Sequence, residues 1–126
     1  MNMVFAIAAG GALGSVLRHY AGKGMLAMFG DGFPYGTLFV NIAGSFLMGA
    51  LIASFAHIGQ MSQEMRAFLA VGLLGGFTTF STFSLDFATL YERGQLAAAM
   101  LYAGLSLFLS LAAIFAGLFI VRGLST

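Results

Sequence analysis

The sequence has no cysteine and no tryptophan, a single proline, and few charges: only 7% of its 126 residues are Asp, Glu, Lys or Arg. A soluble domain carries about 25%. Without cysteine there is no disulfide and no thiolate metal site, although the compartment stays open. The net charge of +1 excludes the basic footprint of a nucleic-acid binder. Residues 1–17 hold no Lys or Arg, so the basic start of a signal peptide is missing. No low-complexity linker and no basic tail interrupts the chain.

What the sequence does contain is mostly apolar. Hydrophobic residues make up 60%, and there are 18 glycines, a residue more frequent in membrane helices than in soluble ones. Charge-free stretches run over 1–17, 32–63, 67–85 and 94–121. A spanning helix needs ~20 mostly apolar residues. The pattern predicts an all-α integral membrane protein, one domain over 1–126, with helices at 2–29, 35–57, 63–92 and 95–122. Pro34, in FGDGFPYG, marks the turn before the second span.

The flanking charges barely choose an orientation. One side of the membrane would hold Arg66 and Arg122, and the other Arg18, Lys23 and Arg93. Either one marginal charge or the lipids decide, or the chain inserts both ways and pairs antiparallel with itself. Four short helices are few to enclose a pathway, which points to a homo-oligomer.

Small residues let membrane helices approach closely. Gly10, Gly14, Arg18 and Gly22 share one helical face, Gly72 and Gly76 repeat the spacing, and Gly44 with Gly49 is a looser version. Arg18 on a glycine face needs water or an anionic partner. It either anchors at the interface by snorkelling or draws anions into a vestibule. Asn41, in GTLFVNIAGS, is either an interhelical hydrogen bonder or a ligand-facing donor. Tyr102, Ser106 and Ser110 fall at i, i+4 and i+8, one hydroxyl stripe on an oily helix. Serines in membrane helices bond back to their own backbone or, when stacked, line a wet path. Glu64, Arg66, Asp86 and Glu92 read as interface residues at the ends of the third span. The other spans have no acidic residue, which counts against proton coupling through a mid-membrane carboxylate.

The third span contains GGFTTFSTFS, residues 75–84. Gly, Thr, Ser and Phe are mediocre helix formers, and a run of them predicts a break near mid-membrane. Irregular backbone at that depth must be buried or line a cavity. The first half-helix would end near Gly75 to Thr78, with carbonyls able to hold a small cation. The second would restart near Thr79 to Ser81, with Thr79 or Ser81 as cap and N–H groups that favour an anion. Phe80 and Phe83 share a face of the resumed helix, and their positive ring edges suit a small hard anion. Ser81, Thr82 and Ser84 add donors.

Three blocks, GGALGSVLR (10–18), GTLFVNIAGSFLMG (36–49) and GLLGGFTTFSTFS (72–84), resemble the CrcB/Fluc fluoride channels, over essentially the whole chain. The resemblance implies a dual-topology antiparallel homodimer with two pores in the bacterial inner membrane, exporting cytoplasmic fluoride passively. It implies that Phe80 and Phe83 present ring edges to fluoride and that Asn41 is a pore-lining donor. Ser81 and Thr82 would add polar contacts, Tyr102, Ser106 and Ser110 would form a polar track, and Arg18 would sit near the vestibule. A structural Na+ at the dimer centre would be held by the backbone carbonyls of Gly75 and Thr78. Small dual-topology multidrug exporters are the alternative by size and charge balance, but they rely on an acidic residue in the first helix that is absent here.

Overall fold

The computed structural model describes residues 2–124, and its long segments are all helical. Helix α1 (Met3–Phe29) starts on Asn2, whose side chain accepts from the Val4 N–H, and ends at Gly30. The positive φ of Gly30, 79°, lies in the left-handed region that glycine tolerates best. Pro34 stands immediately before α2 (Tyr35–Phe55), where its missing N–H costs nothing. The third span is composite. It runs through α3 (Gln63–Ala67), a π-helical segment (Phe68–Leu74) and the short α4 (Gly75–Phe77). It is interrupted at Thr78 and Thr79 and resumes as α5 (Phe80–Glu92). A turn through Gly94 leads to α6 (Leu96–Leu124).

The sequence-based boundaries agree with these to within two residues, and the break falls where the mediocre helix formers placed it. The π-helical segment was not anticipated. A π turn leaves no compositional mark in FLAVGLL. The composite third span, α2 and α6 are long and apolar enough to cross a membrane. Helix α1 has comparable length, 27 residues, and carries Arg18, His19 and Lys23 in its second half.

Two close crossings organise the bundle. In the first, α1 lies on the composite span. A Cβ added at Gly10 would land on the Phe68 carbonyl oxygen, and one at Gly14 on that of Leu73. Gly72 and Gly76 approach the Ile7 and Gly11 carbonyls in return. In the second crossing, α2 lies on α6, where Gly49 meets the Ile114 carbonyl and Gly117 that of Phe46. Lipid gives helices no hydrophobic drive to associate, so such backbone contact supplies much of the attraction. Gly44 does not extend the second crossing. It faces Thr78 and Phe77 at the break instead.

Candidate functional site

The break shows where each lost helical hydrogen bond goes. Thr78 (φ −88°, ψ 160°) and Thr79 (φ −155°, ψ 121°) are extended. An unbroken helix would have the Thr79 N–H donate to Gly75. Here it donates to Asn41 Oδ1 at 2.7 Å, while Asn41 Nδ2 donates to the Thr79 carbonyl at 3.0 Å. One side chain on α2 thus replaces the acceptor that the Thr79 N–H loses at the break and adds a donor to the carbonyl that opens α5. A membrane interhelical hydrogen bond averages only about 0.6 kcal/mol, but an unsatisfied peptide group in the hydrocarbon costs several. The second magnitude explains Asn41. Of its two readings, the interhelical bond is the one the geometry displays.

The resumed helix is capped by Thr79, whose Oγ1 accepts from the Thr82 N–H at 3.2 Å. The Thr78 hydroxyl turns back to the Leu74 carbonyl at 3.1 Å. Arg18 Nε donates to the Gly76 carbonyl at 3.1 Å. The Gly75 and Thr78 carbonyls are thereby left without their helical donors, because Thr79 has turned to Asn41 and Thr82 to its cap. At the start of α5 the break separates the Phe80 and Ser81 N–H groups from Gly76 and Phe77, their acceptors in a continuous helix.

A cavity of about 360 Å³ lies beside the break, between α2, α5 and α6. Asn41, Thr78, Phe80, Phe83, Ser106 and Ser110 meet on its wall. Ser106 is 8% exposed, and neither its hydroxyl nor that of Ser110 has a hydrogen-bond partner among the described residues. Back-bonding is what other hydroxyls in these helices do: Ser54 bonds to Ala50, Ser84 to Phe80 and Thr89 to Leu85. Buried hydroxyls left open on a cavity wall ask for a ligand or water. Phe80 is 78% exposed at the cavity mouth, with its ring 5.5 Å from that of Phe83.

The remaining sequence-predicted residues lie around this cavity rather than in it. Tyr102 is fully buried and its ring is 5.2 Å from Phe83, so it continues the stripe through an aromatic contact. Its hydroxyl donates to Asp86 Oδ2 at 3.1 Å. That pairing corrects the reading of Asp86 as a plain interface residue. The two residues are far apart in sequence and meet only because α5 and α6 form a hairpin. Ser81 is exposed, with its hydroxyl 3.4 Å from that of Thr79. Thr82 belongs to a second cleft of about 320 Å³ between α1, α2 and α5, lined also by Arg18, His19, Lys23 and Thr79. Thr79 therefore borders both spaces, a basic cleft on one side and a hydroxyl-lined cavity on the other. Among the described residues no group of three or more His, Cys, Asp or Glu is placed to hold a metal ion, so a cation here would depend on backbone oxygen.

Comparison with known proteins supplies a family. The model described as "CrcB-like protein, Camphor Resistance (CrcB)" matches residues 5–118. A fluoride-specific ion channel FluC of Rhodospirillum centenum is 51% identical over 122 residues, covering 97% of each chain. One of Rhizobium meliloti is 51% identical over 124 residues, covering 98% of this chain and 99% of its own. One of Caulobacter vibrioides is 48% identical over 123 residues, covering 97% of each.

Proposed function

The chain belongs to the CrcB-like family, as a multi-pass inner-membrane protein, and from that premise we propose that it is a fluoride-selective passive channel. The observation that carries the reading is a cavity beside the broken helix with two buried, unpartnered hydroxyls, Ser106 and Ser110, in its wall. A small anion entering there loses water. In exchange it meets hydroxyl donors, the one Asn41 N–H not given to the Thr79 carbonyl, the ring edges of Phe80 and Phe83, and the positive end of α5. The basic cleft around Arg18, with Thr82 and Thr79 on its wall, raises the local anion concentration at the entrance. Acid outside the cell produces HF, which crosses the membrane and releases fluoride inside. The negative-inside potential then drives the anion out through an open path. No step calls for catalysis, so the protein is a channel and not an enzyme.

Two copies complete the pathway in this reading, as an antiparallel homodimer in the lipid bilayer. The 78% exposure of Phe80 and the open side of the cavity are what a second copy would cover. The near balance of flanking Lys and Arg suits insertion in both orientations. At the centre, the Gly75 and Thr78 carbonyls of each chain fit a Na+ ion. Both lack a helical donor, and a hard cation takes oxygen ligands. Bound there, the ion would neutralise the converging carbonyl dipoles and tie the two breaks together.

The test is fluoride efflux from liposomes holding the purified protein, read with an ion-selective electrode against chloride efflux from matched vesicles. Fluoride should pass and chloride should be retained. Equal passage of both ions, or of neither, removes the selective-channel reading. The cation has its own test. Prolonged removal of sodium is expected to abolish the flux and its return to restore it. Full activity with no detectable bound cation would take that role away from Gly75 and Thr78.

A further inference from the structure

Gly10, Gly14 and Arg18 lie one helical turn apart on the same face of α1. The first two bring α1 into backbone contact with the composite third span. The third, carried along the same line, delivers its Nε–H to the Gly76 carbonyl at 3.1 Å. In a continuous helix that carbonyl would receive the Phe80 N–H, which the break has carried away. Asn41 does the equivalent for Thr79 from α2. The break is therefore held from two helices: Arg18 reaches a carbonyl that the interruption sets free, and Asn41 accepts from the freed N–H of Thr79.

We propose that Arg18 is a positioning residue: its Nε–H replaces the missing helical donor at Gly76 and so fixes the orientation of the peptide groups from Gly75 to Thr78. The inference deepens the channel reading, on which its flux readout rests. It assigns the residue a role separate from its charge. The guanidinium still borders the basic cleft, but the atom that bonds Gly76 is Nε, in the stem of the head group.

Side-chain chemistry separates the two roles. Counting from Cβ, the glutamine amide nitrogen occupies the position of arginine Nε. Arg18→Gln keeps an N–H donor there and removes the charge. Lysine and methionine both place a carbon at that position. Arg18→Lys keeps the charge and moves the donor one bond further out, and Arg18→Met keeps neither.

Each variant would be reconstituted in nanodiscs with sodium and followed by amide hydrogen exchange over residues 74–82, and in parallel by fluoride flux from liposomes. Arg18→Gln is expected to exchange as the parent does. Arg18→Met should exchange about tenfold faster or more, the consequence of an unsatisfied half-buried carbonyl, with Arg18→Lys between Met and the parent. Flux should follow the same order, with Gln retaining more than Met. The proposal is overturned if Arg18→Met is protected like the parent, or if Arg18→Gln exchanges as fast as Arg18→Met. A parent protein that passes no fluoride would sink the channel reading alone, because the exchange order would still decide the role of Arg18.

Discussion

Phe83→Ile is expected to lower fluoride flux by about tenfold or more, an increase of at least ~1.4 kcal/mol in the barrier, and Phe80→Ile to act in the same direction. Isoleucine keeps the apolar bulk and removes the ring. Loss of flux with unchanged expression and elution would therefore report on the ring edge rather than on packing. Phe83 should show the larger effect. Its ring lies between those of Phe80, at 5.5 Å, and Tyr102, at 5.2 Å, on the cavity wall. These neighbours limit the directions its edge can take. An ion stripped of water in a narrow apolar space has few substitutes for that edge, because Ser106 and Ser110 can offer only one hydrogen each. Liposome flux measured with an electrode decides the matter. Unchanged flux in both variants would reduce the two rings to packing.

The second large effect falls on assembly. Gly14→Val should strip the protein of most of its folded yield. A Cβ at Gly14 would land on the Leu73 carbonyl oxygen and lie 3.0 Å from the Phe77 nitrogen, and neither is a side chain that can swing aside. Relief requires α1 to move off the composite span. Overpacking typically costs about 1–3 kcal/mol, occasionally more, and here it would also pull Arg18 away from Gly76. Gly24→Ala on the same helix is the control. Nothing lies within 4 Å of its added Cβ, so the change should be neutral or stabilising by up to ~1 kcal/mol. Thermal stability in detergent, read by monodisperse recovery after heating, distinguishes the two. Equal recovery would mean that the crossing yields more readily than its backbone contacts imply.

Much of the framework was legible because it obeys local rules. Charge-free length set four helices, and glycine spacing marked the α1 crossing before any contact was known. Composition located the break, and Thr79 proved to be the cap. What escaped the sequence depends on partners distant along the chain. Gly49 was visible as a small residue, but its partner Gly117 was not, because nothing in sequence couples α2 to α6. Asp86 looked interfacial because the hairpin that turns it toward Tyr102 forms only after both helices pack. Asn41 could be narrowed to two roles. The choice needed the coordinates of Thr79, whose N–H and carbonyl it takes together. The fold nonetheless brings the Phe pair and two of the three stripe hydroxyls, Ser106 and Ser110, to one cavity, with Tyr102 beside it.

The open hydroxyls of Ser106 and Ser110 bear on the direction of flow. A hydroxyl locked to a backbone carbonyl has a fixed dipole and favours one polarity of approach. One without a partner can rotate about its Cβ–Oγ bond and turn its hydrogen toward an anion arriving from either end. A wall of such rotors behaves like a small reservoir of orientable solvent, and it imposes no preferred direction of its own. Along a path that they line, these two hydroxyls would add no rectification of their own.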